Sequence, residues 1–179
     1  VESRPHVALI GMMGAGKSTV GCRLARSEGL RFVDLDAAIE ENGGRSIAEI
    51  FDDDGEGRFR DLEQEALSEC LASAEPLVVS CGGGIVLRAE NRARLVDRAW
   101  VCWLRAAVET LAGRVRAGQS RPLLGEDPVA DLTAISAARS GLYAATAHEI
   151  VDVDGLEAEQ VAARIRALAD GRHRPVPTR

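Results

Sequence analysis

The sequence predicts a single three-layer α/β domain with a parallel sheet at its centre, and three observations carry that prediction. Short apolar runs such as residues 7–10 and 77–79 show no polar alternation, as expected of strands covered on both faces. Each run is followed by a stretch in which apolar residues return at helical spacing, so strands and helices alternate along the chain. At 179 residues, 46% of them hydrophobic and 28% charged, the chain has the length for one core and too much apolar surface to stay disordered.

The first strand, 7–10, follows Pro5 and runs into Gly11-Met12-Met13-Gly14-Ala15-Gly16-Lys17-Ser18-Thr19. Beyond that loop Val20, Leu24 and Ala25 keep the spacing of a helix. A second strand covers 31–36 and carries two acids at its end, Asp34 and Asp36. Ser46-Ile47-Ala48-Glu49 is a capping box that starts a short helix, which stops at Gly55 after the acids at 52–54. From Phe59 onward, Leu62, Ala66, Leu67, Cys70 and Leu71 mark one face of an amphipathic helix closed off by Pro76. The third strand, 77–79, ends at Gly82-Gly83-Gly84. A helix near 89–96, a fourth strand at 100–104 and a helix over 107–116 come next. Residues 117–128 hold two glycines and two prolines without periodicity, which predicts a mobile surface loop. A helix at 130–147, a fifth strand at 149–153 and a helix at 157–169 complete a domain over 1–170. Residues 171–179 are expected to fray. No internal repeat or linker interrupts the pattern.

A formal charge of −6 argues against general nucleic-acid binding and leaves room for a local basic pocket. No run approaches the roughly 18 to 20 apolar residues that cross a bilayer, and residues 1–5 lack the layout of a signal peptide, so a soluble cytoplasmic protein is expected. Cys22, Cys70, Cys81 and Cys102 form no C-x-x-C pair and no zinc spacing with His6, His148 or His173. They are expected to be buried, reduced thiols. Lysine occurs once, at Lys17, among 22 lysines and arginines. A chain that otherwise uses arginine has kept the compact ammonium at that one position.

Gly11 to Ser18 matches G-x-x-x-x-G-K-[ST] between a predicted strand and a predicted helix, the context in which the motif binds phosphate. Gly11, Gly14 and Gly16 let backbone N–H groups converge on phosphate oxygens, and the helix N-terminus adds partial positive charge. Lys17 can reach the β- and γ-phosphates and Ser18 can ligate Mg²⁺. A nicotinamide-type fingerprint fails, because Thr19 occupies its third glycine position and Lys17 lies within the frame. Asp34 and Asp36, two apart on a strand, would both face the crevice at the carboxyl edge of the sheet, where one suits Mg²⁺ and the other an acceptor hydroxyl. Either acid could equally be a local cap. Arg60 and Arg139 could grip a carboxylate with their planar forks or lie solvated on helix faces. Glu63, at i+3 from Arg60, can pair with it.

Taken in order, these features resemble the shikimate kinases over about residues 6–170. The resemblance rests on the form of the phosphate loop, the Asp34-Leu35-Asp36 pair, Gly43-Gly44-Arg45-Ser46-Ile47 leading to Ile50-Phe51, and Phe59-Arg60 followed by Glu63. Gly82-Gly83-Gly84, Arg121-Pro122-Leu123-Leu124 and Arg139 with Tyr143 complete it. It implies a nucleoside-monophosphate-kinase-like P-loop fold with five parallel strands in the order 2-3-1-4-5 and a mobile lid at about 117–128. The activity implied is transfer of the γ-phosphate of ATP to the 3-hydroxyl of shikimate with Mg²⁺, by a monomer without nucleic-acid or membrane partners. The resemblance further implies that Gly14, Ala15, Gly16, Lys17, Ser18, Thr19, Arg114 and Arg121 bind ATP, Arg114 lying against adenine. Asp36, Arg60, Gly82, Gly83, Gly84 and Arg139 would hold shikimate. Lys17, Asp36 and Arg121 would be catalytic, and Ser18, with Asp34 through water, would serve the metal. A kinase of another hydroxy acid such as gluconate would share the nucleotide half, whereas a nucleotide-dependent switch would leave Arg60, Arg139 and the triple glycine unexplained.

Overall fold

The computed structural model describes residues 6–116 and 127–172. The elements run β1 (His6–Ile10), α1 (Lys17–Glu28), β2 (Arg31–Asp34), α2 (Leu35–Gly43), α3 (Ile47–Leu71) and β3 (Leu77–Ser80). After a single 3₁₀ turn at Ile85–Leu87 come α4 (Ala89–Arg98), β4 (Ala99–Arg105), α5 (Val108–Arg116), α6 (Pro128–Thr146), β5 (Glu149–Asp152) and α7 (Ala158–Arg172). The five strands form one sheet in the order β2-β3-β1-β4-β5, every pairing parallel.

The apolar runs are strands for the reason their composition suggests. Ala8, Leu9 and Ile10 are consecutive and fully buried, as are Val101 and Cys102, so neighbouring side chains that point to opposite faces both meet a helix layer. Helix α1 packs with α7, while α4 packs with both α3 and α6. A second, smaller cluster of Ile39, Ile50 and Phe59 joins α2 to α3 beside the main core. Register brings the carboxyl ends of the central strands level, with Asp34 opposite Ser80 and Leu9 opposite Ser80. Among the described residues, the candidate site residues named from the sequence gather along that edge.

Four local expectations change. Strand β2 stops at Asp34, whose carboxylate accepts hydrogen bonds from the backbone N–H groups of Asp36 and Ala37 and so starts a helix. Asp36 therefore lies in the first turn of α2 and not on a strand beside Asp34. Cys70, Cys81 and Cys102 are buried free thiols, but Cys22 is exposed, since it falls outside the α1 stripe of Lys17, Val20, Gly21, Leu24 and Ala25. Helix α6 begins at Pro128, two residues early, because Asp127 caps it through Val129 and Ala130 and proline is well placed in a first turn. Helix α7 extends to Arg172. The expected lid, apart from Asp127 and Pro128, and residues 173–179 lie outside the described residues. The capping box is present, with Ser46 and Glu49 satisfying each other's backbone, and Gly55 breaks α3 at φ 81°.

Candidate active site

The phosphate loop joins β1 to α1. Gly14 and Gly16 both take left-handed φ values, 81° and 87°, which glycine adopts without the penalty a Cβ would add. Helix α1 consequently begins at Lys17 with no side chain capping it, leaving its first N–H groups aimed at the loop. Lys17 is mostly buried, and its ammonium donates to the carbonyls of Gly11 and Met12, each at 2.9 Å. The charge is thus stationed at the rim of the anion cradle. Ala15 is buried, while Ser18 and Thr19 are exposed on the first turn of α1. Arg114, from α5, donates to the Gly14 carbonyl at 3.3 Å, which places its guanidinium against the loop.

Next to the loop the Ser18 hydroxyl donates to Asp34 Oδ2 at 2.5 Å and lies 3.3 Å from the Ser80 hydroxyl. Asp34 makes a second contact, since its other oxygen caps α2; of the readings open in the sequence, the cap is realised. These hard oxygen donors fit Mg²⁺, which binds proteins through few side chains and completes its shell with water and substrate phosphates. No group of three or more His, Cys, Asp or Glu side chains suited to a metal exists among the described residues.

The residues expected to hold the acceptor meet around Gly82-Gly83-Gly84. A Cβ on Gly82 would sit 2.6 Å from Glu63 Oε1 and 2.9 Å from Asp36 Oδ1; one on Gly84 would sit 2.1 Å from Arg60 Nη1. Only glycine lets two carboxylates and a guanidinium approach this backbone together. Arg60 is largely buried; its Nη1 donates to Glu63 Oε2 at 2.9 Å, and its Nη2 and Nε donate to Glu56 Oε1 at 2.9 and 3.2 Å. Its face also meets the Phe59 ring, 5.1 Å from the centroid. From α6, Arg139 donates to the Gly83 carbonyl at 3.1 Å. The Tyr143 hydroxyl donates to the same carbonyl at 2.5 Å, and its ring stacks on Trp103 with centroids 5.5 Å apart.

The electrostatics follow from burial. Glu63 is fully buried. Desolvation raises its pKa above the ordinary glutamate range and the negative charge of Asp36 adds to that, while Arg60 and Arg139 pull the other way without cancelling it. Burial opposes the charge on Arg60, but Glu63 and Glu56 outweigh it and hold the guanidinium firmly protonated. Burial pushes the Tyr143 hydroxyl up to about 12, so it stays a donor. Because the folded protein binds the Glu63 proton more tightly than the unfolded chain does, this group's contribution to stability is complete below the ordinary glutamate value of 4.5 and is lost as pH rises through the raised value. Glu63→Gln cannot titrate. Its melting temperature, measured alongside the parent from pH 4.5 upward, is expected to gain on the parent as pH rises; parallel curves would refute the assignment.

The loop residues, Asp34, Asp36, Arg60, Gly82 to Gly84, Arg114 and Arg139 all have defined places along this edge, whereas Arg121 lies outside the described residues. The sequence reading assigned no role to Ser80, Glu56 or Tyr143. Ser80 becomes legible once the register sets it opposite Asp34. Glu56 stands at i−4 from Arg60, a helical pairing distance, and Tyr143 at i+4 from Arg139.

The chain is similar to known proteins over most of its length. A family model described as shikimate kinase matches residues 13–169. The chain is 49% identical over 138 residues to the shikimate kinase of Nitrobacter winogradskyi, spanning 76% of this chain and 64% of that protein. It is 41% identical to the shikimate kinase of Paracidovorax citrulli, covering 91% of this chain and 89% of the relative. The solved shikimate kinase of Acinetobacter baumannii in complex with shikimate matches with a TM-score of 0.94 at 35% identity, over 97% of each chain.

Proposed function

The chain belongs to the shikimate kinase family and phosphorylates the 3-hydroxyl of shikimate with ATP, and on that premise we propose how its residues share the work. The products are ADP and shikimate 3-phosphate, a step of aromatic amino-acid biosynthesis. The phosphate loop from Gly14 to Thr19 cradles the nucleotide phosphates, and Lys17 exchanges its loop carbonyls for phosphate oxygens. Arg114 closes the nucleotide side, with adenine beside it. Ser18 directly, and Asp34 through water, hold Mg²⁺, which when bound supplies charge neutralisation on the β- and γ-phosphates.

One observation carries the acceptor assignment: two buried guanidiniums, Arg60 and Arg139, flank a glycine backbone that has Asp36 beside it. A planar carboxylate suits such forks. With the acceptor's carboxylate held there, Asp36 receives the hydrogen bond of the reacting hydroxyl and aims its oxygen at the γ-phosphate. The transition state of phosphoryl transfer is loose and asks little of the nucleophile before bonding, so aiming is the larger part of this role. Arg121 is assigned to the transferring phosphate, with a lid over 117–128, on the sequence pattern alone. A monomeric, cytoplasmic enzyme without nucleic-acid partners completes the proposal. No helix among the described residues is long and apolar enough to cross a membrane.

Coupled ADP release over shikimate, quinate, gluconate and no acceptor tests the reading. Release is expected to depend on shikimate; steady release without acceptor would favour a nucleotide switch. In the same assay Arg60→Ala and Arg139→Ala are each expected to weaken shikimate binding by about 1.5 to 3 kcal/mol, the worth of a hydrogen bond to a charged group. Nucleotide KM should stay near the parent value. Normal shikimate affinity in either variant would remove that arginine from the site.

A further inference from the structure

Arg60 has carboxylate partners on both edges of its guanidinium. One edge of its guanidinium, Nη1, is held by Glu63, and the edge formed by Nε and Nη2 is held by Glu56. The two carboxylates differ in kind. The Glu63 side chain is 1% exposed, and that of Glu56 is 50% exposed, so one is built into the core while the other stands at the mouth of the site. The contacts differ as well. Glu56 brings a single oxygen, Oε1, to both Nε and Nη2, a shared acceptor where a well-placed carboxylate would bring two oxygens in a parallel pair.

Local backbone sets Glu56 apart from the arginine it holds. It lies between Gly55 and Gly57, directly after the break in α3 where Gly55 takes φ 81° and ψ 168°. A Cβ on either glycine would meet nothing within 4 Å. The segment carrying Glu56 can therefore shift without dragging Arg60, which is fixed one turn further on by Glu63, by Gly84 and by the Phe59 ring. Charge points the same way. The pocket sets Arg60 and Arg139 against Glu56, Glu63 and Asp36, and a fourth carboxylate entering it would meet repulsion unless one of the three withdrew. Of the three, Glu56 is the one whose side chain is half exposed to water.

We propose that Glu56 is an exchangeable partner of Arg60, pairing with its Nε and Nη2 edge until the acceptor's carboxylate takes that edge. This rests on the assignment of Arg60 to the acceptor. The exchange subtracts from the affinity of every ligand that brings a carboxylate to this edge. Substrate and phosphorylated product carry the same carboxylate, so both are weakened alike, and the return of Glu56 gives the product a route off the arginine.

Glu56→Gln removes the charge at nearly constant shape, and Glu56→Ala removes the contact altogether. The Glu56 side chain is half exposed and lies between glycines, so both variants are expected to fold, and circular dichroism with thermal melting checks it. For the 179-residue chain with saturating ATP, the expected result is a fall in shikimate KM of about three- to fivefold in both variants, the scale of a partly exposed ion pair. Product inhibition by shikimate 3-phosphate is expected to strengthen by the same factor. In an Arg60→Ala background, Glu56→Gln is expected to leave KM where Arg60→Ala put it. A KM that rises or stays level in the Glu56 variants overturns the exchange, because a residue that merely braces Arg60 would raise it. An Arg60→Ala variant with parental KM overturns the proposal through its premise, an outcome distinct from the first.

Discussion

Lys17→Ala is expected to lower kcat/KM by at least about a hundredfold, with a folded protein remaining. The loss reflects removal of a charge that meets the transferring phosphate while negative charge spreads over its oxygens; deleting one such preorganised contact costs on the order of 3 kcal/mol. Arginine should not rescue it. The ammonium reaches past two loop carbonyls that it touches at 2.9 Å, a space shaped for a thin stem and a point charge and not for a planar fork. The structure adds a second consequence. Because those two bonds tie the empty loop, the variant should also melt at a somewhat lower temperature, by an amount that ATP no longer restores. Turnover within tenfold of the parent in a steady-state ADP-release assay would remove Lys17 from the catalytic set.

Asp36→Asn is expected to depress kcat by about a hundredfold or more while shikimate KM changes little, as for the loss of a group that orients and accepts a proton in the transition state. Its carboxylate lies beside Gly82 with Glu63 as its near neighbour. Neutralising it also removes one of the charges that raise the pKa of Glu63, so the variant should titrate Glu63 nearer the ordinary value. A variant with parental kcat and raised KM would make Asp36 a binding residue only.

The parts of this site that could be read before the fold were those whose partners lie within a helical turn or a single loop. The phosphate loop is nine contiguous residues from Gly11 to Thr19, and its chemistry is complete without reference to anything distant. The Arg60 and Glu63 pair follows from i, i+3 spacing, and its observed 2.9 Å contact agrees. The capping box at Ser46 is equally local. Strand and helix order followed from periodicity, and the strand order came with the family resemblance.

What failed was also local in origin. Asp34 to Asp36 reads as a strand end because Phe32, Val33 and Leu35 are apolar, but a carboxylate that caps its own following N–H groups outcompetes continuation of a short edge strand. Alternation then ceases to apply, and Asp36 is aimed by a helix turn. That is why the acid reaches Gly82.

Sequence alone determined the fold class and the phosphate-loop motif, because buried strands and glycine-rich turns leave their pattern in adjacent residues. Tertiary structure decided which of the many arginines and acids meet. Arg139 and Tyr143 converge on the Gly83 carbonyl across 56 and 60 residues, and Ser80 reaches Ser18 across 62. Such contacts depend on parallel crossovers that bring strand ends level and on burial, and neither burial nor register is written in any local stretch of chain.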